Sequence, residues 1–454
     1  MAKDERQQRD AGEELMAKIV SLCKRRGFVF QSSEIYGGLR SCYDYGPLGV
    51  ELKRNIKDQW WRAVVHGRED VVGIDASIIM HPKVWEASGH VQGFTDPLVD
   101  CKKCKNRYRA DKLADKRCPA CGGELTEPRK FNLMFKTHLG PVEDEASVVY
   151  LRPETAQAMF VDFPLVQQTA RMRLPFGIAQ IGKSFRNEIV VEHFTFRSCE
   201  FEQMELEYFV EPGSDERWFE FWKNERLEWY KGLGARPEKL RIREHAKDEL
   251  AHYARACADI EYEFPWGWGE LEGVANRGDY DLKQHAAASG KRLEYFDPQK
   301  NKPVVPFVIE PSAGVDRSAL MFIIDAYAEE PPPEGTDEPR VVLRLDPRLA
   351  PIKAAVFPLV RKDGMPEIAR EIVQEFYRNG ISAFYDEKDT VGRRYRRQDE
   401  AGTPYCLTVD GQTKLDRTVT IRDRDSMKQE RIKIEEAVEV VRRRLCSPVG
   451  ARCP

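Results

Sequence analysis

The sequence predicts an α+β protein followed by a smaller α/β unit. Three observations point there. Helix-like segments at 5–26, 47–66 and 214–232 lie beside segments that alternate apolar and charged residues as half-buried strands do. The stretch 329–339, EEPPPEGTDEP, sets three consecutive prolines among acids and would run extended as a linker. Beyond it strands and helices alternate, as in a unit with some parallel strands. The expected domains are 1–330, a linker at 331–340, and 341–454.

The bulk numbers fit two or three globular domains. The chain has 454 residues, 41% apolar and 32% charged, with 75 acidic against 72 Lys and Arg residues. From Arg340 onward there are 24 Lys and Arg and 18 Asp and Glu, so that part is mildly basic beside an acidic remainder. A polyanion partner would explain the asymmetry, and so would ordinary compositional scatter. The opening MAKDERQQRDAGEELM has no apolar core, so no secretory signal is expected. No apolar run approaches the roughly 18 residues of a membrane span, and the cytoplasm is the expected location. Eleven cysteines, an odd number, argue against a disulfide framework.

Taken in order, 5–26 carries Leu15, Ile19 and Leu22 at helical spacing and stops at Gly27. Pro47 suits the first turn of a second helix, in which Leu52, Ile56, Trp60 and Val64 recur every four residues. A strand-like VVGIDASIIM then runs into Pro82. Next, Cys101 and Cys104, then Cys118 and Cys121, form two Cys-x2-Cys pairs with thirteen residues between them. That is the layout of a closed, structural zinc knuckle over 100–123, and a metal-free knuckle or redox-active thiols would share it. FNLMF and SVVYL read as short strands, and Glu154 opens a helix through Ala156, Met159, Phe160 and Leu165.

The stretch 184–209, SFRNEIVVEHFTFRSCEFEQMELEYF, reads as two antiparallel strands joined by a long loop holding Val190, Val191, His193, Phe194 and Arg197. Met204, Leu206 and Tyr208 should point one way, Glu205 and Glu207 the other. A charged outer sheet face gives the same alternation. A helix follows, capped near Ser214 or Asp215, whose Trp218, Phe221, Trp222 and Trp229 read as a core face. VVPFVIE should be a strand, PSAG a turn, and 315–328 a helix. In the C-terminal part the order is strand 354–359, helix MPEIAREIVQEFYRNG, strand ISAFYD, the basic run VGRRYRRQDEAG, strands PYCLTVD and TVTIRDRD, and a helix to about Leu445.

No Gly-x4-Gly-Lys-Ser/Thr phosphate loop is present, so a nucleotide would be held otherwise. Arginine is the alternative, because its planar fork matches phosphate oxygens. Arg186 stands on the first hairpin strand. Arg317 opens a helix after Gly314, where the helix N-terminus favours an anion. Either alone reads equally as a surface ion pair.

Taken together these residues carry a resemblance. Phe185-Arg186-Asn187-Glu188, a long loop and a second strand look like motif 2 of class II aminoacyl-tRNA synthetases, Gly314-Val315-Asp316-Arg317 looks like motif 3, and 47–82 resembles the dimer-forming motif 1. Arg152-Pro153-Glu154-Thr155-Ala156-Gln157, Phe201-Glu202-Gln203-Met204-Glu205, Glu310-Pro311-Ser312-Ala313-Gly314 and Gly392-Arg393-Arg394-Tyr395-Arg396-Arg397-Gln398-Asp399 resemble the homodimeric glycyl-tRNA synthetase family. The resemblance implies a class II antiparallel-sheet catalytic core with a small zinc-knuckle insertion, then an anticodon-binding domain. It implies a homodimer that uses ATP and Mg²⁺ to make glycyl-adenylate and passes glycine to the 3′ end of tRNA(Gly), with a structural Zn²⁺.

It also implies residue roles. Arg186 and Arg317 are the catalytic cations. ATP is met by Arg186, Asn187, Glu188, Phe196, Arg197, Glu200, Phe201, Glu270, Leu271, Gly314, Asp316 and Arg317. Glycine is met by Arg109, Glu154, Phe201, Gln203, Glu205, Glu310 and Ser312. Arg277 is a further phosphate contact, and Glu270 a partner for Mg²⁺. Three carboxylates in one pocket repel, so some should have raised pKa values until a cation enters. Four arginines around Tyr395 suit RNA phosphate and a stacked base, or a solvated turn. Two rivals remain at this stage: a nucleic-acid-binding protein descended from such an enzyme, disfavoured by the presence of Arg186, Glu188, Phe201 and Arg317, and an amino-acid ligase that charges no tRNA, disfavoured by the basic C-terminal part.

Overall fold

The computed structural model describes residues 2–113, 115–189, 193–251, 253–332 and 339–446. Val190 and Val191 of the hairpin loop, and 333–338 of the proline-rich stretch, lie outside the described residues.

The first helix, α1 (Ala2–Arg26), buries Ile19, Leu22 and Cys23. Helix α2 (Pro47–Trp61) starts at its proline and buries Leu52, Ile56 and Trp60. The helical run ends earlier than the apolar period implies, because Arg62–His66 widens into a π-turn. Of VVGIDASIIM only β1 (Val71–Gly73) is a strand. Helix α3 (Ala156–Val161) is separate from a second short helix, Phe163–Ala170, with Pro164 in its first turn.

The site is built on a seven-stranded sheet. Its strands are β1, β2 (Phe176–Phe185), β3 (Glu200–Val210), β4 (Leu240–Glu244), β5 (Ala256–Phe264), β6 (Gly267–Gly278) and β7 (Phe307–Gly314). The spatial order is β4-β5-β6-β7-β3-β2-β1, antiparallel except for the β1–β2 pair. Strand β7 runs on through Pro311-Ser312-Ala313-Gly314, where the sequence suggests a turn, and lies between β6 and β3. Its register with β3 passes from Glu205–Ser312 to Tyr208–Ile309, skipping Pro311 and Glu310. A proline has no N–H for the ladder, which is why it reads as a break although the strand continues past it.

The two faces of β3 divide as expected. Met204, Leu206 and Tyr208 enter the main core with Trp222 and Tyr230 of α4 (Asp215–Gly232) and with α6 (Val315–Ala326); α5 (Tyr280–Ser289) lies on the other side. Trp218, Phe221 and Trp229 pack against that core. On the opposite face Phe201, Gln203, Glu205 and Glu207 lead to Phe209, which joins Phe160, Phe163, Phe176 and Leu282 in a second core. That core closes one end of the polar face, and the cavities lie toward the other end.

Helix α6 stops at Ala326, two residues short of the expected end. The chain then forms β8 (Tyr327–Glu330), paired with β9 (Arg340–Leu343), so the edges of the proline-rich stretch are a ribbon. The C-terminal sheet holds β10 (Ala354–Pro358), β11 (Ala383–Tyr385), β12 (Tyr405–Val409), β13 (Thr418–Asp423) and β14 (Gln429–Lys433) in the order β11-β10-β12-β13-β14. Strand β10 is parallel to both neighbours and the other pairs are antiparallel. Helix α7 (Met365–Arg378) and helix α9 (Ala437–Cys446) cover its core, and the basic run forms helix α8 (Val391–Ala401) between them in sequence.

Candidate active site

Two adjoining cavities occupy the concave face. The first, about 220 Å³, is lined by Arg186, Glu188, Phe196, Arg197, Phe201, Glu270, Gly314, Asp316 and Arg317 among others. The second, about 300 Å³, is lined by Glu154, Glu205, Glu310, Tyr253 and Arg277 among others. Arg186, Gln203, Glu270, Gly273 and Ser312 form the wall they share.

The first cavity presents three arginines, Arg186, Arg197 and Arg317, beside Glu188, Glu270 and Asp316. Arg186 is oriented by donating Nε to the Pro153 carbonyl at 3.0 Å, with its guanidinium 5.3 and 5.4 Å from the rings of Phe94 and Phe201. Arg317 leaves the first turn of α6 and donates to the Glu270 carbonyl at 2.8 Å. It also pairs with the Glu270 carboxylate at 3.1 Å and lies 4.3 Å from the Phe196 ring. Phe196 is set edge-on against Phe264 and Trp266, so the loop end is packed against β5. Arg317, with Arg186 and Arg197 nearby, holds the Glu270 carboxyl below its usual range. Arg197 reaches Glu188 at 3.4 Å. Gly314 is extended, and a Cβ there would meet only Arg317 of the chain at 3.5 Å. The room its absence leaves opens onto the cavity.

The second cavity is acidic and its carboxylates are held differently. Glu205 accepts from the Thr155 amide at 3.1 Å, from the Thr155 hydroxyl, and from the Ser312 hydroxyl at 2.7 Å. Burial and the charge of Glu154 push its carboxyl up. Glu154 sits 3.3 Å from His90 and accepts from Gln157 at 3.0 Å. Burial opposes its charge, but His90 and Arg277 outweigh burial and hold it well below the usual range. Glu310 takes both oxygens to Arg277 Nη1 at 2.9 Å, yet burial still pushes it up to about 8.

Arg277 departs from its expected role. It is buried, with Nε and Nη2 spent on Asp281 at 2.7 and 2.9 Å and Nη1 on Glu310. It braces the acidic wall, bonded on both sides to buried carboxylates.

Four expected contacts line neither cavity. Arg109 is turned to Asp96 at 3.1 Å and Asp111 at 2.8 Å. The Asn187 amide is bound to the Leu133 carbonyl at 2.7 Å. Glu200 is exposed and pairs with Lys183 on the adjacent strand. Leu271 points into the core and is 1% exposed. Asp316 lines the first cavity, but its oxygens are occupied by Lys53 at 2.8 Å and the Glu202 amide at 2.7 Å.

One group that the sequence reading passes over is Glu207. It is fully buried, neither oxygen has a hydrogen-bond partner, and one of its oxygens lies within 4.8 Å of oxygens of Glu205 and Glu310. Burial, then Glu310, push its carboxyl far up, which favours the neutral acid. The alternation that selects Glu205 selects Glu207 equally, so the signal was in the same strand.

Outside the cavities, one Sγ from each of Cys101, Cys104, Cys118 and Cys121 lies within 4.8 Å of the others. The Cys101–Cys121 and Cys104–Cys118 sulfurs are 3.5 and 3.6 Å apart. A tetrahedral ion with bonds of about 2.3 Å needs sulfurs about 3.8 Å apart, so the quartet fits zinc. Gly123 keeps the turn open, since a Cβ there would lie 3.0 Å from Cys101 Sγ. In α8, Arg394 is buried and donates to the carbonyls of Pro358 and Leu359, Tyr395 bonds Thr408 and packs on Phe357, and Arg397 pairs with Asp386 and Asp389. Three of the residues expected to face RNA, Arg394, Tyr395 and Arg397, therefore fasten α8 to the sheet and its adjoining loops.

Comparison with known proteins gives this geometry a family. Residues 353–444 match the model of the anticodon binding domain. The chain is 56% identical to a glycine–tRNA ligase of Treponema denticola over 94% of this chain and 96% of the relative. It is 52% identical to one of Thermobifida fusca over 96% and 99%, and 54% identical to one of Streptomyces coelicolor over 92% and 96%. With identity above half along nearly its whole length, the chain belongs to the glycine–tRNA ligase family.

Proposed function

We propose that the chain is an ATP-dependent glycine–tRNA ligase whose two adjoining cavities take ATP and glycine. The observation that carries this is their opposite chemistry across one shared wall: arginines at Arg186 and Arg317 on one side, Glu154, Glu205 and Glu310 on the other. ATP lies in the cavity of the three arginines, its adenine against Phe201 and Phe196 and its phosphates toward Arg197 and Arg317. Glycine lies in the acidic cavity, its ammonium toward Glu205, Glu154 and Glu310, its carboxylate toward Arg186.

Arg186 belongs to both cavities. It draws the attacking carboxylate and the α-phosphate together and stabilises the charge that grows on the phosphoryl oxygens. The glycine oxygen attacks the α-phosphorus, pyrophosphate leaves toward Arg317, and glycyl-adenylate remains. The terminal ribose hydroxyl of tRNA(Gly) then takes the glycyl group, releasing AMP. When bound, Mg²⁺ supplies charge neutralisation between phosphates. Glu270, in the shared wall and half-exposed, is the carboxylate placed to face it. Selection is read as crowding in the filled pocket: carboxylates hold the ammonium, and a side chain at Cα is what their packing around it would exclude.

The four-cysteine knuckle carries a structural Zn²⁺. The C-terminal unit, beyond the ribbon of β8 and β9, receives the anticodon. Two chains pair through the α1–α2 region, where Ile35 and Tyr36 are 87% and 86% exposed and Leu39 and Val50 are also bare. No helix of the described residues is long and apolar enough to cross a membrane. The decisive test is pyrophosphate exchange into ATP with a panel of amino acids. Glycine should support exchange and alanine and serine should not; exchange with alanine or serine alone refutes the assignment. Light scattering that gives a monomer at micromolar concentration refutes the pairing.

A further inference from the structure

The wall of the acidic cavity also holds three groups that the glycine reading leaves unused: His245, Cys257 and Asp259. Strands β4 and β5 bring them together. Arg243 faces Asp259 across the ladder, and just beyond its end the His245 amide donates to the Cys257 carbonyl at 2.9 Å. Cys257 and Asp259 are two apart on β5 and so share a face. His245 Nε2 is 2.8 Å from Asp259 Oδ2, and one ligand atom of each of the three residues lies within 4.8 Å of the others.

We propose that His245, Cys257 and Asp259 form a binding site for a thiophilic divalent cation of the Zn²⁺ class, and that its occupancy keeps glycine's ammonium out of the same cavity. The second half rests on the reading of this cavity as the glycine pocket. Imidazole, thiolate and carboxylate are the donors zinc takes, and three protein ligands leave a fourth position for water from the cavity. With bonds of about 2.0–2.2 Å a tetrahedral ion sets its nitrogen and oxygen about 3.3 Å apart, so His245 and Asp259 separate by only about half an ångström to admit it. The neighbouring strand does not obstruct this: Gly273 faces Asp259, and even a Cβ there would stay 3.9 Å from Oδ1. Acidic side chains outnumber cations on this wall: Glu154, Glu205, Glu249, Glu270 and Glu310 line the same cavity, against Arg186 and Arg277. The nearest cation, Arg243, stands 3.9 Å from Asp259 and is engaged by Glu249. A divalent ion here competes with an ammonium for one field, which makes the two ligands antagonists.

The test uses the full-length protein with its four-cysteine knuckle loaded with zinc and excess metal removed. Added Co²⁺ should produce one further equivalent of thiolate-to-cobalt absorption, absent in Cys257→Ser and in Cys257→Ala and weakened in His245→Ala; circular dichroism confirms that the variants are folded. Buffered Zn²⁺ should raise the KM for glycine about tenfold in the wild type and less than about twofold in Cys257→Ser, each against its own zinc-free rate. A cobalt band of equal size in both cysteine variants, or equal zinc inhibition in them, overturns the site and leaves His245 and Asp259 as a hydrogen-bonded strut. A Cys257-dependent band with an unchanged glycine KM keeps the metal site, and overturns the antagonism and the placement of glycine in this cavity.

Discussion

Replacing Glu205 by Gln isolates the charge that the glycine pocket presents. The side chain keeps its shape and stays on the sheet between Thr155 and Ser312, which donate to its two oxygens. Two losses follow. A carboxylate and an ammonium about 4 Å apart attract by about 4 kcal/mol at an effective dielectric constant near 20. The new amide NH₂ also turns a donor toward Thr155 or Ser312, removing an accepted hydrogen bond of about 1 kcal/mol. Against these, the substitution removes a like-charge contact, because Glu154 is one of the groups that push the Glu205 carboxyl up. The net loss is about 2–4 kcal/mol, or about 30- to 1,000-fold in kcat/KM for glycine. Pyrophosphate exchange with glycine and ATP varied separately measures it. The reasoning is refuted if the glycine KM stays within about twofold of wild type, or if the ATP KM rises as much as the glycine KM.

Other expectations follow from the same wall and from the C-terminal unit. Glu207 has a raised folded pKa, so the stability it contributes is complete below its unfolded value of about 4.3 and is lost as pH rises above it. Glu207→Gln has no such titration, so its stability relative to wild type should grow from pH 5 to pH 8 in urea unfolding; a difference that does not change with pH contradicts the burial argument. Arg277→Ala strips Glu310 and Asp281 of their shared cation and should cost about 3–5 kcal/mol of stability; a loss under about 1 kcal/mol would show that the wall is braced otherwise. Arg394→Ala frees the buried Pro358 carbonyl and the part-buried Leu359 carbonyl at the end of β10 and should cost about 1–3 kcal/mol within the C-terminal unit. Charging of tRNA should fall while glycine-dependent exchange stays near wild type; an equal fall in both rules out that separation.

The hairpin was legible because its strands obey a period of two with one face apolar, and its acids fall where a half-buried strand would place them. The arginines Arg186 and Arg317 and the acids Glu154, Glu205 and Glu310 do meet across one wall, although more than a hundred residues separate Arg186 from Glu310. Less visible was anything that depends on where a hydrogen bond ends. Arg109 and Arg277 have the composition of anion ligands, but Asp96, Asp111, Asp281 and Glu310 take their donors first. The helix α8 hid because its inward face is Arg394, Gln398 and Asp399, which keep helical spacing but are polar. Pro311 and Gly314 suggested a turn, and only the flanking strands reveal that β7 passes through them. Nothing local to Glu207 distinguishes it from Glu205; the difference is that donors converge on one and not on the other.

Strand β7 carries Glu310 and Ser312 on the acidic side and ends at Gly314, one residue before the helix that bears Arg317. Amino-acid selection and nucleotide binding thus share eight consecutive residues, five in a central strand and three in the helix that follows it. A site of this kind has no exchangeable part. Loop grafting can alter what surrounds it, but any change of register in β7 moves both substrates at once. The specificity of the enzyme is therefore inherited with its framework, and a route to a larger amino acid has to pass through a redesign of the sheet itself.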